Sequence, residues 1–256
     1  MSLRSTLRLA VRAPRVAAIL LGGTLVARIG LWWRGGDPAR AYAWKCAMMR
    51  WQARAILRAC GVRWTVDGKP PAAPFLLVAN HLGYMDIVLM CAVTPAWFIS
   101  KREVADWPGI GWVVRSMNTL FVDRERKADL TRLRPVMDAV LDRGEGIVFY
   151  PEGTSGDGSD VLPFKPSLLE AAAARGLPVH WAILHYRTPP GAPSAREAVC
   201  WWGDAPFFPH LLGLLRLPAV DARLRFGPAP VAHADRKILA QALRAAVREE
   251  FEPIPP

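Results

Sequence analysis

Phe75-Leu76-Leu77-Val78-Ala79-Asn80-His81-Leu82-Gly83-Tyr84-Met85-Asp86 is the stretch that decides the fold. Five apolar residues in a row, with no alternation, predict a strand buried on both faces, as in a parallel sheet covered by helices. Polar Asn80 and His81 follow at once, and residues 87–93 then read as a helix that ends before Pro95. Strand, polar turn and helix together make a βα unit. Its turn lies at the carboxyl end of the strand, where open α/β sheets place their sites.

The same alternation continues outward. Strands are predicted at 62–66, 96–100, 120–123, 147–150, 179–185, 199–202 and 221–226. Helices are predicted at 130–141 (stopped by Gly144), 167–175, 210–216 and 235–251. Residues 151–166, rich in Gly, Asp, Ser and Pro, read as a long loop, and the Pro/Ser segment 188–196 as a surface loop. Residues 61–256 thus form one α/β domain with a mostly parallel sheet flanked by helices.

Residues 1–60 read differently. Residues 1–63 carry twelve Lys/Arg and one acid, Asp37, while the remainder balances 21 basic with 21 acidic groups. The whole net charge of +11 therefore sits in the first quarter of the chain. Arg4, Arg8, Arg12 and Arg15 precede an uncharged run at 16–27; Arg28 interrupts it, and Trp32-Trp33 close it as an interfacial aromatic pair. Twelve residues fall short of the ~20 that a spanning helix needs, and eighteen with Arg28 inside are marginal. No small-x-small cleavage site directly follows the run, as a signal peptide would require. After the Gly35-Gly36 break, Asp37 is a fitting N-cap with Pro38 at N1. In the helix that follows, Trp44, Met48, Trp51 and Ala55 share one face beside a stripe of Arg50, Arg54 and Arg58. An amphipathic helix packed on the domain fits this pattern, and so does one lying in anionic head groups. With the apolar run and the charge partition, the expectation is a two-helix membrane-associating motif on the cytoplasmic face of the cell membrane. Nucleic acid is not expected as a partner, because no DNA- or RNA-reading pattern accompanies the charge.

A hydrophobic content of 52% with 21% charged residues excludes disorder as the main character. Cys46, Cys60, Cys91 and Cys200 include no CxxC pair, so buried thiols are expected, with neither a zinc knuckle nor a disulfide framework. His180, His185, His210 and His233 lack metal-ligand spacing; His180 and His185, five apart on a strand, face opposite ways. No metal site is expected. No Walker A or GxGxxG motif follows a strand, so no cofactor is expected either.

Three constellations sit at strand ends. In the first, His81 follows a buried strand and Asp86 lies five residues on. A carboxylate at the start of the helix can fold back onto one ring nitrogen, fixing the tautomer and leaving the other nitrogen as a base. In the second, Gly153 and Gly156 let backbone amides turn toward an anion, and Glu152 suits a polyol. The third is Phe121-Val122-Asp123-Arg124, a strand end carrying a fixed cation.

In this order and at this spacing the three resemble the glycerolipid acyltransferase family, the 1-acyl-glycerol-3-phosphate acyltransferases and their relatives. Asn80, His81 and Asp86 match its first block, Phe121 to Arg124 its second, and Pro151, Glu152, Gly153 and Thr154 its third. Leu177, Pro178 and Val179 match the fourth, and Lys101 with Glu103 an intervening Lys-x-Glu. The resemblance covers roughly residues 60–185. It implies acyl transfer from acyl-CoA or acyl carrier protein to the hydroxyl of a lysolipid. His81 would be the general base and Asp86 its orienting partner. Arg124 and Lys101 would hold the acceptor's phosphate or other anionic head, and Glu152, Gly153 and Thr154 would position the acceptor. The first expectation for the acceptor is 1-acyl-glycerol-3-phosphate. The arginine that commonly follows Pro-Glu-Gly-Thr is Ser155 here, however, with Lys165 available to restore the cation. That departure, with Trp201-Trp202-Gly203-Asp204 downstream, is similar to the branch containing lyso-ornithine lipid acyltransferases. Two other classes fit less well. A serine hydrolase would use Ser155, but Gly153-Thr154-Ser155-Gly156-Asp157 lacks the last glycine of GxSxG. A non-catalytic membrane adaptor would leave His81 without work.

Overall fold

The computed structural model describes residues 2–34, 36–123 and 127–256. The sheet has seven strands: β1 (Val62–Asp67), β2 (Phe75–Ala79), β3 (Trp97–Lys101), β4 (Thr119–Val122), β5 (Gly146–Phe149), β6 (Val179–Arg187) and β7 (Val220–Phe226). Their order is β1-β7-β6-β2-β5-β3-β4, and every neighbouring pair is parallel except β6 with β7. The α/β class with a mostly parallel sheet is thus observed.

Side chains alternate across the pleat. From the two central strands, Leu77, Ala79, Val148 and Tyr150 enter one core layer, and Leu76, Val78, Ile147 and Phe149 the other. The first layer is covered by α2 (Pro38–Cys60), α3 (Tyr84–Val93) and α8 (Phe207–Arg216), through Leu57, Leu89 and Leu214. The second is covered by α5 (Lys127–Asp142), α6 (Glu170–Arg175) and α9 (Arg236–Glu249), through Met137, Ala172 and Leu243. Two faces of helix explain why β2 and β5 are apolar without alternation.

α1 (Leu3–Arg34) is one continuous helix of 32 residues, with Pro14 within it. The short apolar run expected at 16–27 is therefore only its middle. The helix is long and apolar enough to cross a membrane by length and composition. Its inner flank is nevertheless committed to protein. A Cβ at Gly23 or Gly30 would overlap Gln52 or Trp44 of α2. The Trp44 indole donates to the Ala27 carbonyl at 3.0 Å, and the Gln52 amide to Ile19 and Leu20 at 3.2 and 3.3 Å. Arg12 donates to the carbonyls of Leu217 and Leu215, at 2.6 and 3.3 Å, at the C-terminal end of α8, a position that favours a cation. Arg28 reaches Ser116 at the end of α4 (Ile110–Ser116). The outer flank leaves Leu21, Leu25, Ile29, Trp32 and Trp33 exposed.

α2 begins as its sequence requires. Asp37 accepts from the amides of Ala39 and Arg40, Pro38 stands at N1, and Gly61 ends the helix with φ of +75°. The shared face of α2 divides, however. Trp44 and Met48 pack inward and only Trp51 remains exposed. One arginine of the stripe, Arg54, donates to the Ala92 carbonyl at 2.9 Å instead of standing free in water.

Residues 199–202 are not a strand. A short helix, α7 (Ala195–Ala198), ends there, and the Trp201 amide donates to Leu82 at 2.7 Å. The Trp201 ring packs with Tyr84, Trp107 and Phe207. An apolar Val-Cys-Trp-Trp run has strand propensity, but here tertiary contacts decide its conformation.

Candidate active site

Register builds the site. Val78 of β2 lies opposite Phe149 of β5. Three residues beyond each, at the same edge of the sheet, come His81 and Glu152. The two meet through the main chain: Glu152 Oε1 accepts from the His81 amide at 2.8 Å. The His81 carbonyl in turn accepts from the Gly156 amide at 2.8 Å. Asn80 extends the β2–β6 ladder with its side chain, donating to the Leu184 carbonyl at 3.0 Å and accepting from the Leu184 amide at 2.8 Å. It fixes the strand end from which His81 departs.

Asp86 sits in the first turn of α3 and is fully buried. Its Oδ2 lies 2.8 Å from His81 Nδ1 and also accepts the amides of Leu82, at 2.5 Å, and Gly83, at 2.9 Å. Its Oδ1 accepts from the Tyr186 hydroxyl at 2.8 Å. Each of these partners donates, so Nδ1 carries the proton and Nε2 is left as an acceptor. Among the described residues Nε2 has no partner, and the His81 side chain keeps 18% of its exposure. The imidazole is thus held by one nitrogen and reachable at the other. It also stacks on the Tyr150 ring, with centroids 4.3 Å apart and planes 18° from parallel.

Glu152 is buried, and its second oxygen accepts from the Leu162 amide at 3.2 Å. Both oxygens of this carboxyl thus accept main-chain amides, one from His81 and one from the 151–166 loop. Burial pushes the Glu152 carboxyl up to about 8, against the opposing pull of the His81 and Leu162 amides. Pro151 is buried, and its carbonyl accepts from the Lys165 amide at 2.8 Å. Gly153 has φ of +82°, and a Cβ there would come 2.9 Å from Lys165 Nζ, so this exposed lysine lies directly over the turn. Thr154 is exposed at the same turn. Lys101, the exposed last residue of β3, stands at the same sheet edge beside β5. Arg124 lies outside the described residues.

Sequence reasoning passed over two contributors and gave a third no structural role. Tyr150 and Tyr186 flank the His81–Asp86 pair, and only Tyr150 carried a local signal, directly before Pro151. The third is the Ser155 hydroxyl, which donates to the Trp201 carbonyl and so ties the 151–156 turn to the segment that also bonds Leu82. Among the described residues no group of His, Cys, Asp or Glu has the arrangement of a metal site.

An imidazole oriented by a buried carboxylate at a strand end is the equipment of a general base. A family model described as Acyltransferase matches residues 61–182, which include both groups. Over 253 residues the chain is 36% identical to the lyso-ornithine lipid O-acyltransferase of Rhodobacter capsulatus, covering 94% of this chain and 89% of that protein. The chain belongs to the glycerolipid acyltransferase family. The acyltransferase is also 30% identical over 179 residues to the 1-acyl-sn-glycerol-3-phosphate acyltransferase of Neisseria meningitidis, covering 67% of this chain and 70% of that one. Its fold is that of the 1-acyl-sn-glycerophosphate acyltransferase of Thermotoga maritima, with a TM-score of 0.66 at 21% identity over 96% of this chain and 94% of that one. The acyltransferase is accordingly a lysolipid O-acyltransferase.

Proposed function

We propose that the enzyme moves a fatty acyl group from acyl-CoA or acyl carrier protein to the hydroxyl of lyso-ornithine lipid. The observation that carries the chemistry is the His81–Asp86 pair with Nε2 free. His81 Nε2 takes the proton from the acceptor hydroxyl as its oxygen attacks the thioester carbonyl. The C–S bond then breaks, and the leaving thiolate recovers the proton from the imidazolium. A thiol of pKa ~8.5 leaves more readily than an alkoxide, so no covalent enzyme intermediate is required. Asp86 orients the ring and balances the positive charge it acquires.

Two observations support this acceptor over 1-acyl-glycerol-3-phosphate, the first expectation. The 36% identity to a lyso-ornithine lipid acyltransferase runs through nearly the whole chain. Ser155 also replaces a phosphate-binding arginine and spends its hydroxyl on Trp201. An ornithine head group presents a carboxylate and an ammonium in place of a phosphate, and so asks for less positive charge. Lys101 and Lys165 supply that charge, with Arg124 assigned by its place in the second motif and Gly153 and Thr154 shaping the turn.

The membrane is the natural source of this acceptor. Residues 1–60 provide a basic surface for anionic head groups and an exposed apolar flank on α1. A reaction on the cytoplasmic face follows from this reading if the donor is acyl-CoA or acyl carrier protein. The test is acyl transfer by purified protein in detergent micelles, with lyso-ornithine lipid and lysophosphatidate compared at equal concentration. The expected result is a higher kcat/KM for lyso-ornithine lipid; preference for lysophosphatidate overturns the acceptor assignment and leaves the chemistry intact.

A further inference from the structure

We infer that Tyr150 is a positioning residue for His81, acting through its ring face and not through its hydroxyl. The inference rests on the His81 reading above and deepens it.

Tyr150 follows the last residue of β5, and its side chain joins the core layer that also holds Leu82 and Met85. The ring is 4% exposed and lies nearly flat on the imidazole, at 4.3 Å and 18°. Two constraints on His81 are then complementary. The Nδ1–Asp86 bond acts in the plane of the ring and sets which vertex points inward. The phenol acts perpendicular to that plane and sets its tilt. Together they aim Nε2 in one direction.

The stack is also selective for protonation state. A neutral imidazole gains little from a phenol face. An imidazolium gains a cation–π attraction that is greatest where water is excluded. The charged ring exists only after the acceptor hydroxyl has given up its proton, so the attraction strengthens as the transition state forms. The hydroxyl contributes nothing comparable. It is buried, and among the described residues it has no hydrogen-bond partner. The other titratable groups around the imidazole are Asp86 on its Nδ1, Tyr186 bonded in turn to Asp86, Glu152 on the His81 amide, and Lys165 over the neighbouring Gly153 turn.

The test compares Tyr150→Phe and Tyr150→Leu with wild type, by kcat and KM for the acceptor and by the pH profile of kcat/KM. Leu removes the ring. It is expected to lower kcat about 10-fold, the scale of a desolvated cation–π contact, with KM nearly unchanged. The acidic limb of its profile moves to lower pH, because the imidazolium is less favoured. Phe keeps the ring and is expected to restore kcat to within about threefold of wild type. Should Leu prevent folding, as thermal unfolding would show, Phe alone decides: a loss of 10-fold or more there assigns the role to the hydroxyl and overturns the inference. Unchanged kcat and an unmoved limb in a folded Leu variant overturn it equally. A His81→Ala control keeps the two readings apart: if that variant stays active, the general-base assignment has failed, whatever Tyr150 does.

Discussion

Glu152 accepts a hydrogen bond from the backbone amide of His81 at 2.8 Å, so the third sequence motif holds the first through the main chain. Both oxygens of Glu152 are used this way, on His81 and on Leu162. Gln keeps one acceptor and turns an NH2 toward the other amide. Glu152→Gln is therefore expected to lower kcat about 10-fold or more, the cost of leaving one buried amide unmatched. A circular dichroism spectrum matching wild type would show that the loss is local.

The same carboxyl makes stability depend on pH. Burial raises Glu152 from 4.5 to about 8, so the folded chain keeps a proton that the unfolded chain releases. Its contribution is full below pH 4.5, declines as pH rises, and is gone above about 8. The slope in that window is at most ~1.4 kcal/mol per pH unit. Urea unfolding at pH 5, 6, 7 and 8 should show wild type losing stability with rising pH more steeply than Glu152→Gln. Parallel curves would remove Glu152 as the cause.

Asp86→Asn tests orientation separately from basicity. The amide would face donors at Leu82, Gly83, Tyr186 and His81 Nδ1 and could not satisfy them all. A fall in kcat of ~10²–10⁴ is expected, because the wrong tautomer of His81 is favoured. Activity within threefold of wild type would mean that the carboxylate is structural only.

The strands around the site were legible because they are buried on both faces. Phe75–Ala79 and Gly146–Phe149 needed no tertiary information beyond the absence of alternation. The pairing of His81 with Asp86 was legible from a polar strand end followed by a helix. Other features depend on partners far away in sequence. Arg12 looks like part of a basic stretch and Arg28 like an interruption of the apolar run after it, yet each finds an oxygen near the end of a distant helix, and α1 runs unbroken from Leu3 to Arg34. Trp201 looks like part of a strand, yet its amide and ring are claimed by Leu82, Tyr84, Trp107 and Phe207. No local pattern reveals that both Glu152 oxygens accept main-chain amides, because those amides belong to His81 and Leu162, 71 and 10 residues away.

Gly30→Leu tests the seat of α1 on α2. Any side chain there meets the Trp44 indole and strains its bond to the Ala27 carbonyl. Overpacking of this kind costs ~1–3 kcal/mol. A lowered Tm, with weaker binding to anionic vesicles, is expected. An unchanged Tm would show that Trp44 yields freely.

The most direct test of the central claim is the rate of acyl transfer from acyl thioester to lysolipid by wild type and His81→Ala. Removing the imidazole while leaving Asp86 and the 151–156 turn in place should cost at least ~100-fold in kcat, with the fold intact by circular dichroism. A His81→Ala enzyme that turns over at the wild-type rate would contradict the account.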